Sequence, residues 1–449
     1  ILYKKLLNNA SDADSRLSFL AKLASLYLAV RNRNEAQPLL EQIAREYPDS
    51  PEAPKALYQI GQILWNRHDN AQALDYFKLV LGKYPESSYV DRAQFAAADI
   101  HEYFGRKDDA VQMYSNVVKQ FPNSTVRDDA HWRLAWLYYR GGDPVSAAAA
   151  FKALAQQSKN GSLGTAALYW QARSVEKSGE GDAAKNLYRQ TLNGGGESYY
   201  QELALRALGR LREPADEPAM AKPYPIAEAE GPMSGEVEFH LTRARELGSL
   251  SLHHLAVAEL DELNSRTTRS ERLRTILLRG YFRNHAYGRS LNIAGQLALS
   301  QAERNYYRYP LAFWDLIQQK AEERGIDPYL VLALIRQESL FDPRARSPAA
   351  ALGLMQIIAP TATRVASQLG LEAPSQEQLF EADVNLTLGT QYLKNLLARY
   401  SNNWHKALAA YNAGEAAVDR WEKEIATDDI EEFVERIPYL ETRGYVKLV

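Results

Sequence analysis

Between roughly residues 11 and 195 the apolar positions return with a fixed period. Stepping by 37 residues joins Ala36, Ala73, Ala110, Ala147 and Ala184, all alanine. Four positions further on stand Leu40, Phe77, Tyr114, Phe151 and Tyr188, always large. Another register, Ala24, Gly61, Ala98, Ala135 and Ala172, is always small, and Tyr58, Phe95, Trp132 and Tyr169 are always aromatic. Small residues let paired helices approach and large ones fill the groove between neighbours, so the pattern predicts stacked helix pairs. Tyr47-Pro48, Tyr84-Pro85 and Phe121-Pro122 punctuate successive units. Turns inside a unit are expected at Asp69–Asn70, Lys107–Asp109 and Gly141–Asp143.

These offsets resemble the tetratricopeptide repeat, lengthened to 37 residues. Such an array serves as a concave ligand surface or as a spacer and scaffold, and the repeats alone do not choose. After Gly194–Gly196 one more helix is expected to about Gly209. Five prolines between Arg212 and Gly235 then break any helical period and predict a linker. Leu241, Ala244, Leu247, His254, Leu255, Ala258 and Leu260 restore the helical period, read as two or three hairpins continuing the solenoid. The adjacent His253 and His254 diverge on a helix and are read as surface or packing residues.

The stretch Pro328 to Pro343 carries the candidate chemistry. Asp327 can cap a helix opening with Pro328, whose missing N–H is harmless in the first turn. Leu330, Val331, Leu334 and Ile335 bury one flank, with Glu338 a turn further on. Pro343 closes the stretch. Desolvation at the end of so apolar a helix raises a carboxyl pKa and suits a general acid. By itself the stretch also admits a plain solvated glutamate at a helix end.

Composition narrows the field. Charged residues are 24% and the net charge is −3, which gives no case for nucleic acid or an anionic membrane surface. With no cysteine there are no disulfides, thiol catalysis or thiolate zinc sites, and the 8 histidines form no metal-binding motif. No apolar run reaches membrane-spanning length. The first residue is Ile1 rather than Met, which points to a leader removed or not included.

From Pro310 onward motifs come densely. After Glu338-Ser339 follow Ser347 to Ala362 with Gly353-Leu-Met355-Gln356, then Asp383 to Tyr392 with Asn385. Ala407 to Gly414 with Tyr411-Asn412 comes next, and Ile437 to Val446 with Tyr439, Glu441, Arg443 and Tyr445 is last. In this order the set closely resembles the soluble lytic transglycosylases, bacterial enzymes that cleave peptidoglycan glycan strands. The resemblance implies an all-α protein: a tetratricopeptide-like superhelix (1–211), the proline-rich linker (212–235), a helical segment continuing the superhelix (236–305) and a lysozyme-like catalytic domain of the goose type (306–449). It implies a cofactor-free, periplasmic enzyme acting on glycan strands, with cell-wall proteins as candidate partners of the superhelix. The β-1,4 bond from N-acetylmuramic acid to N-acetylglucosamine is cleaved, and the sugar's own C6 hydroxyl replaces water to leave a 1,6-anhydro end. Glu338 is the single catalytic carboxylate, acid first and base second. Asp342, Glu372 and Asp383 are candidate acids nearby in sequence, and none matches a second catalytic position of the family. By the same match, Ser347 and Tyr411 lie beside Glu338 and hydrogen-bond it or the muramoyl N-acetyl group. Met355 and Gln356 line the sugar groove, while Asn412, Tyr439 and Glu441 border the cleft, Glu441 toward the peptide stem. Plainer readings stand beside these: Met355 as core, Tyr411 as a packing tyrosine, Glu441 as a partner of Arg443. Two positions depart from the family pattern, Ala350 where glycine is usual and Glu415 where proline is usual.

Overall fold

A computed structural model describes residues 3, 7, 10, 12–158, 161–193, 199–210, 235–266 and 270–449. Gly194–Gly196 and all of the expected linker except Gly235 lie outside the described residues. The chain divides into two compact units, Ile1–Asp216 and Glu217–Val449. Both are helical, and among the described residues β-pairing is confined to two isolated bridges, Arg346 with Leu352 and Leu352 with Ile357.

The first unit runs through α1 (Ala13–Ala29), α2 (Arg33–Glu46), α3 (Glu52–Asn66), α4 (Asn70–Lys83), α5 (Val90–Tyr103) and α6 (Lys107–Gln120). It continues with α7 (Arg127–Arg140), α8 (Pro144–Gln157), α9 (Ser162–Lys177), α10 (Gly181–Leu192) and α11 (Tyr199–Arg210). Each register has a physical counterpart. The alanines of both small registers are fully buried, and a Cβ on Gly61 would sit 2.5 Å from the Phe77 ring. The aromatic register packs on the large register of its own pair: Tyr58 on Phe77 (5.8 Å), Phe95 on Tyr114 (5.7 Å), Trp132 on Phe151 (5.5 Å) and Tyr169 on Tyr188 (5.7 Å). The Tyr84 hydroxyl donates to the Pro48 carbonyl at 2.7 Å, tying one unit's final turn to the previous one. The turn at Gly141–Asp143 falls where expected, and Asp69 is the N-cap of α4 with Asn70 its first residue. Lys107–Asp109 are already helical, because acidic residues are favoured in a first turn by the helix dipole. The reversal before α6 falls on Phe104–Arg106, with Gly105 at a positive φ.

In the second unit α12 (Gly235–Ser249) pairs with α13 (His253–Arg266), and α14 (Glu271–Arg283) with α15 (Tyr287–Ala294). These hairpins share their compact unit with the C-terminal helices. Then come α16 (Gln301–Arg308), α17 (Trp314–Arg324), α18 (Pro328–Ser339), α19 (Ala359–Gln368) and α20 (Ala382–Arg399). The last four are α21 (Trp404–Ala413), α22 (Glu415–Ile425), α23 (Ile430–Arg436) and α24 (Leu440–Leu448). Asp327 caps α18 by accepting from the Tyr329 N–H at 2.8 Å. Val331, Leu332, Leu334 and Ile335 are buried, so the helix carrying Glu338 is fixed by the core. No helix among the described residues is long and apolar enough to cross a membrane.

Candidate active site

Glu338 lies in the last turn of α18. Its carboxyl is pushed up from 4.5 to about 7, burial being the larger cause and a hydrogen bond from Tyr445 a smaller, opposing one. The Tyr445 hydroxyl, on α24, donates to Glu338 Oε1 at 2.6 Å. No charged side chain contributes to the shift. Tyr445 belongs to the last sequence motif, which by itself assigns it no role. Its buried position in the last helix, facing the acid, is a tertiary fact that no local spacing reveals.

Immediately beyond the acid the backbone turns sharply. Leu340 and Phe341 both have positive φ (50° and 63°), an arrangement that non-glycine residues hold only when their surroundings impose it. Phe341 is buried with its ring edge-on to Tyr287 at 5.7 Å. A Cβ on Gly288 would lie 3.3 Å from Leu340 Cδ1, so α15 packs directly against the turn.

The loop 345–357 forms the opposite side of the acid. The Ser339 hydroxyl donates to the Leu354 carbonyl at 2.8 Å, tying α18 to this loop. Asn385, fully buried on α20, holds it from beneath. Its Oδ1 accepts from the Met355 N–H (2.8 Å), and its Nδ2 donates to the carbonyls of Leu352 (2.9 Å) and Leu379 (2.8 Å). This clamp is a second residue that the motif contained and the role assignment missed.

The remaining expected site residues fall as follows. Tyr411 is half-buried close enough to feel the charge of Glu338, and its hydroxyl donates to the Met355 carbonyl at 2.7 Å. Burial first, then the negative charge of Glu338, hold the Tyr411 hydroxyl well above its usual range. The tyrosine hydroxyl bonded to the acid is that of Tyr445, and Tyr411 holds the Met355 carbonyl. Ser347 Oγ accepts from the Ala351 N–H at 3.0 Å and shapes the loop, which leaves its hydroxyl proton to donate. Met355 does not line a groove. Its side chain is fully buried against Gly389, where a Cβ would come within 2.3 Å of its sulfur, because α20 leaves the room a thioether fills.

Gln356 has a positive φ of 47°, and its Nε2 donates to the carbonyls of Ala345 (3.1 Å) and Gly353 (2.8 Å). Only its carbonyl oxygen remains for a ligand, instead of the paired amide expected. Asn412 Oδ1 accepts the Thr442 hydroxyl at 2.7 Å, linking α21 to the helix that bears Tyr445. Tyr439 is half-exposed and stands edge-on to Trp421 at 5.0 Å. Glu441 is exposed at the start of α24, while Arg443 donates to the Glu435 carbonyl at 2.9 Å and not to Glu441.

Ala350 adopts φ 60°, the left-handed region where the family's usual glycine is unstrained. Glu415 opens α22 and lies 3.4 Å from Arg364. Among the other acids, Asp342 accepts from the Arg344 N–H (2.9 Å) and Asp383 pairs with Lys320 (2.8 Å). Chemically, the site presents a carboxyl whose pKa is raised to about 7 and one tyrosine hydroxyl bonded to it, and among the described residues no carboxylate contributes to its shift.

Comparison with known proteins agrees with this architecture. Residues 315–434 match the family model of the transglycosylase SLT domain, and residues 21–88 and 95–162 match that of the tetratricopeptide repeat. The chain thus carries an SLT transglycosylase domain preceded by tetratricopeptide repeats. More particularly, it is homologous to the soluble lytic murein transglycosylases of Salmonella typhimurium and Escherichia coli, 33% identical over 285 residues. That match covers 63% of this chain and 42% of each relative, so less than half of those relatives' length is represented. The solved 70-kDa soluble lytic transglycosylase from Escherichia coli shares the fold with a TM-score of 0.70 at 22% identity, over 99% of this chain and 75% of that one. An inactive mutant of lytic transglycosylase Slt from Pseudomonas aeruginosa gives 0.68 at 22% identity, over 99% and 71%.

Proposed function

We propose that this protein is a lytic murein transglycosylase that cleaves peptidoglycan glycan strands between N-acetylmuramic acid and N-acetylglucosamine, leaving 1,6-anhydromuramoyl ends. The observation that carries the reading is Glu338 itself, a half-buried carboxyl that accepts the Tyr445 hydroxyl at 2.6 Å, is pushed up to about 7 by burial and has no charged neighbour among the causes of its shift. A retaining glycosidase with an enzyme nucleophile needs a second carboxylate about 5 Å away, and none acts on Glu338. The substrate's N-acetyl oxygen then stabilises the anomeric centre while Glu338 protonates the leaving oxygen. As carboxylate, Glu338 next takes the proton of the C6 hydroxyl, which attacks the anomeric carbon and closes the anhydro ring. A pKa close to neutrality suits both half-reactions, and the Tyr445 hydroxyl stabilises the ionised form between them.

Around this centre, the Gln356 carbonyl oxygen and the Ser347 hydroxyl are assigned to sugar recognition. Tyr411 is assigned to holding the Met355 carbonyl beside the acid, and exposed Tyr439 and Glu441 to the outer cleft and peptide stem. Murein as substrate makes the periplasm the compartment. The test is digestion of purified sacculi followed by mass analysis. Products lighter by one water than those of a muramidase are expected, and hydrated reducing ends would refute the anhydro mechanism. Glu338→Gln should lower the rate by more than the ~10²–10⁴-fold typical of one general acid, since no second carboxylate compensates. Activity within about tenfold of the parent, far short of that loss, would remove Glu338 from its role.

A further inference from the structure

A cavity of about 370 Å³ opens among α12, α13 and α14, within the size range of small-ligand sites. Two glycines on its wall explain why it is there. A Cβ on Gly280 would lie 3.0 Å from Leu260 Cδ1, and one on Gly248 would lie 2.7 Å from Asn284 Oδ1. The helices therefore approach closely at these points, and no side chain projects from either glycine into the space.

Its electrostatics are one-sided. Arg245, Arg279 and Arg283 line it together with no aspartate or glutamate. Two acids of α13 have partners away from the cavity lining. Glu259 meets His240 (2.6 Å) and Arg243 (3.1 Å), and Asp261 meets Tyr281 and Arg289 (both 2.9 Å). Glu303 feels Arg279 but is held low chiefly by Ser300 in its own capping box. Arg245 and Arg283 form no ion pair with a described residue. Guanidinium forks that line a concavity without an ion-pair partner, here Arg245 and Arg283, favour planar anions such as carboxylates. Leu241, Leu260 and Ile276 give the same cavity an apolar wall. An anion with a short aliphatic body fits both halves, whereas inorganic phosphate would use only one.

We propose that this cavity binds a carboxylate-bearing peptide, the stem peptide carried by the glycan strand, at a site separate from the cleavage centre. The substrate class rests on the function proposed above, but binding does not require catalysis. The probe is the free tetrapeptide alanyl-γ-glutamyl-diaminopimelyl-alanine, titrated into the full chain by calorimetry, with hydrogen exchange followed over α12 and α14. Saturable binding with protection of these helices is expected. The double variant R245Q/R283Q should weaken it about tenfold, as expected for two exposed charge contacts of somewhat under 1 kcal/mol each. Both arginines are exposed, so an unchanged melting profile is expected to accompany that loss. On the parent chain, a peptide with its carboxylates amidated should not bind, which tests the idea without any variant. Absence of protection, equal binding by R245Q/R283Q, or equal binding of the amidated peptide would each overturn the proposal. Displacement of the peptide by an equal concentration of inorganic phosphate would also overturn it, by showing a general anion site. Failure of the functional reading shows separately, in the sacculus digest, because the tetrapeptide contains no glycosidic bond.

Discussion

Glu338→Gln should change the pH dependence of stability as well as activity. Below pH 4.5 the Glu338 carboxyl is protonated in both folded and unfolded chains, and parent and variant differ by a constant. Between 4.5 and about 7 the unfolded chain releases the proton while the folded chain keeps it. The stability that the raised pKa contributes is therefore present at low pH and lost as pH rises through about 7, at about 1.4 kcal/mol per pH unit. Over that interval the loss comes to roughly 3 kcal/mol. Glutamine cannot ionise and escapes it, so the variant should become the more stable protein near pH 8, by an amount of that order. The chain has two compact units, and a global melting curve would mix them. Hydrogen exchange of peptides spanning α18, followed from about pH 4 to 8, reports the right unit. A parent-minus-variant difference that stays flat across this range would show that the carboxyl is not buried with a displaced pKa. The acid assignment would then lose its physical basis.

Tyr445→Phe removes a hydrogen bond that favours the ionised carboxylate, so the Glu338 pKa should rise by about one unit; the alkaline limb of a kcat/KM profile should move up with it, and an unmoved limb would count against the contact. Ala350→Gly relieves a left-handed alanine and should stabilise by about 0.5–1 kcal/mol in denaturant unfolding, while destabilisation would show that the methyl is needed. Asn385→Ala removes the side-chain partner of the buried Met355 N–H and the Leu379 carbonyl, while the Leu352 carbonyl keeps the Ile357 N–H, and should cost about 2 kcal/mol or more, with activity lost; a loss under about 1 kcal/mol would refute the clamp. Gly389→Ala drives a methyl into Met355 and should cost about 1–3 kcal/mol, measurable by unfolding, with a neutral result ruling out the close approach.

The repeat array was legible because each unit solves one packing problem in the same way. Alanine at 36, 73, 110, 147 and 184 marks close approach, and ring-on-ring pairs such as Trp132 with Phe151 follow from the two bulky registers. The turns were less legible, since acidic residues serve equally in a loop and in a helix's first turn. At the site, Glu338 was legible from the ordered set of motifs that follows it, since its apolar helix by itself also admits a solvated glutamate. Which tyrosine meets it was not. Tyr411 and Tyr445 both sit in motifs, and only the packing of α24 on α21 brings Tyr445 to the carboxyl. Gln356 was misjudged for a local reason: its positive φ turns the amide back onto the loop carbonyls. Met355 was misjudged because sequence carries no sign of the space beside Gly389.

These contacts bear on how much chain the chemistry needs. The SLT match ends at residue 434, yet the hydroxyl bonded to Glu338 belongs to Tyr445. The helix bearing Tyr445 is in turn fixed by Thr442 on Asn412 and by Lys447 on buried Glu435 at 2.8 Å. The match begins at residue 315, yet the turn at Leu340–Phe341 is braced by Tyr287 and Gly288. Arg336, two residues before the acid, donates to the Arg308 carbonyl at 2.8 Å. Consecutive positive φ values at non-glycine residues persist only where surrounding contacts over-determine them. Here part of that determination comes from helices that precede the matched domain in sequence. The geometry of the acid is therefore a property of the chain from α15 to α24, and the motifs mark its chemistry without marking its full support.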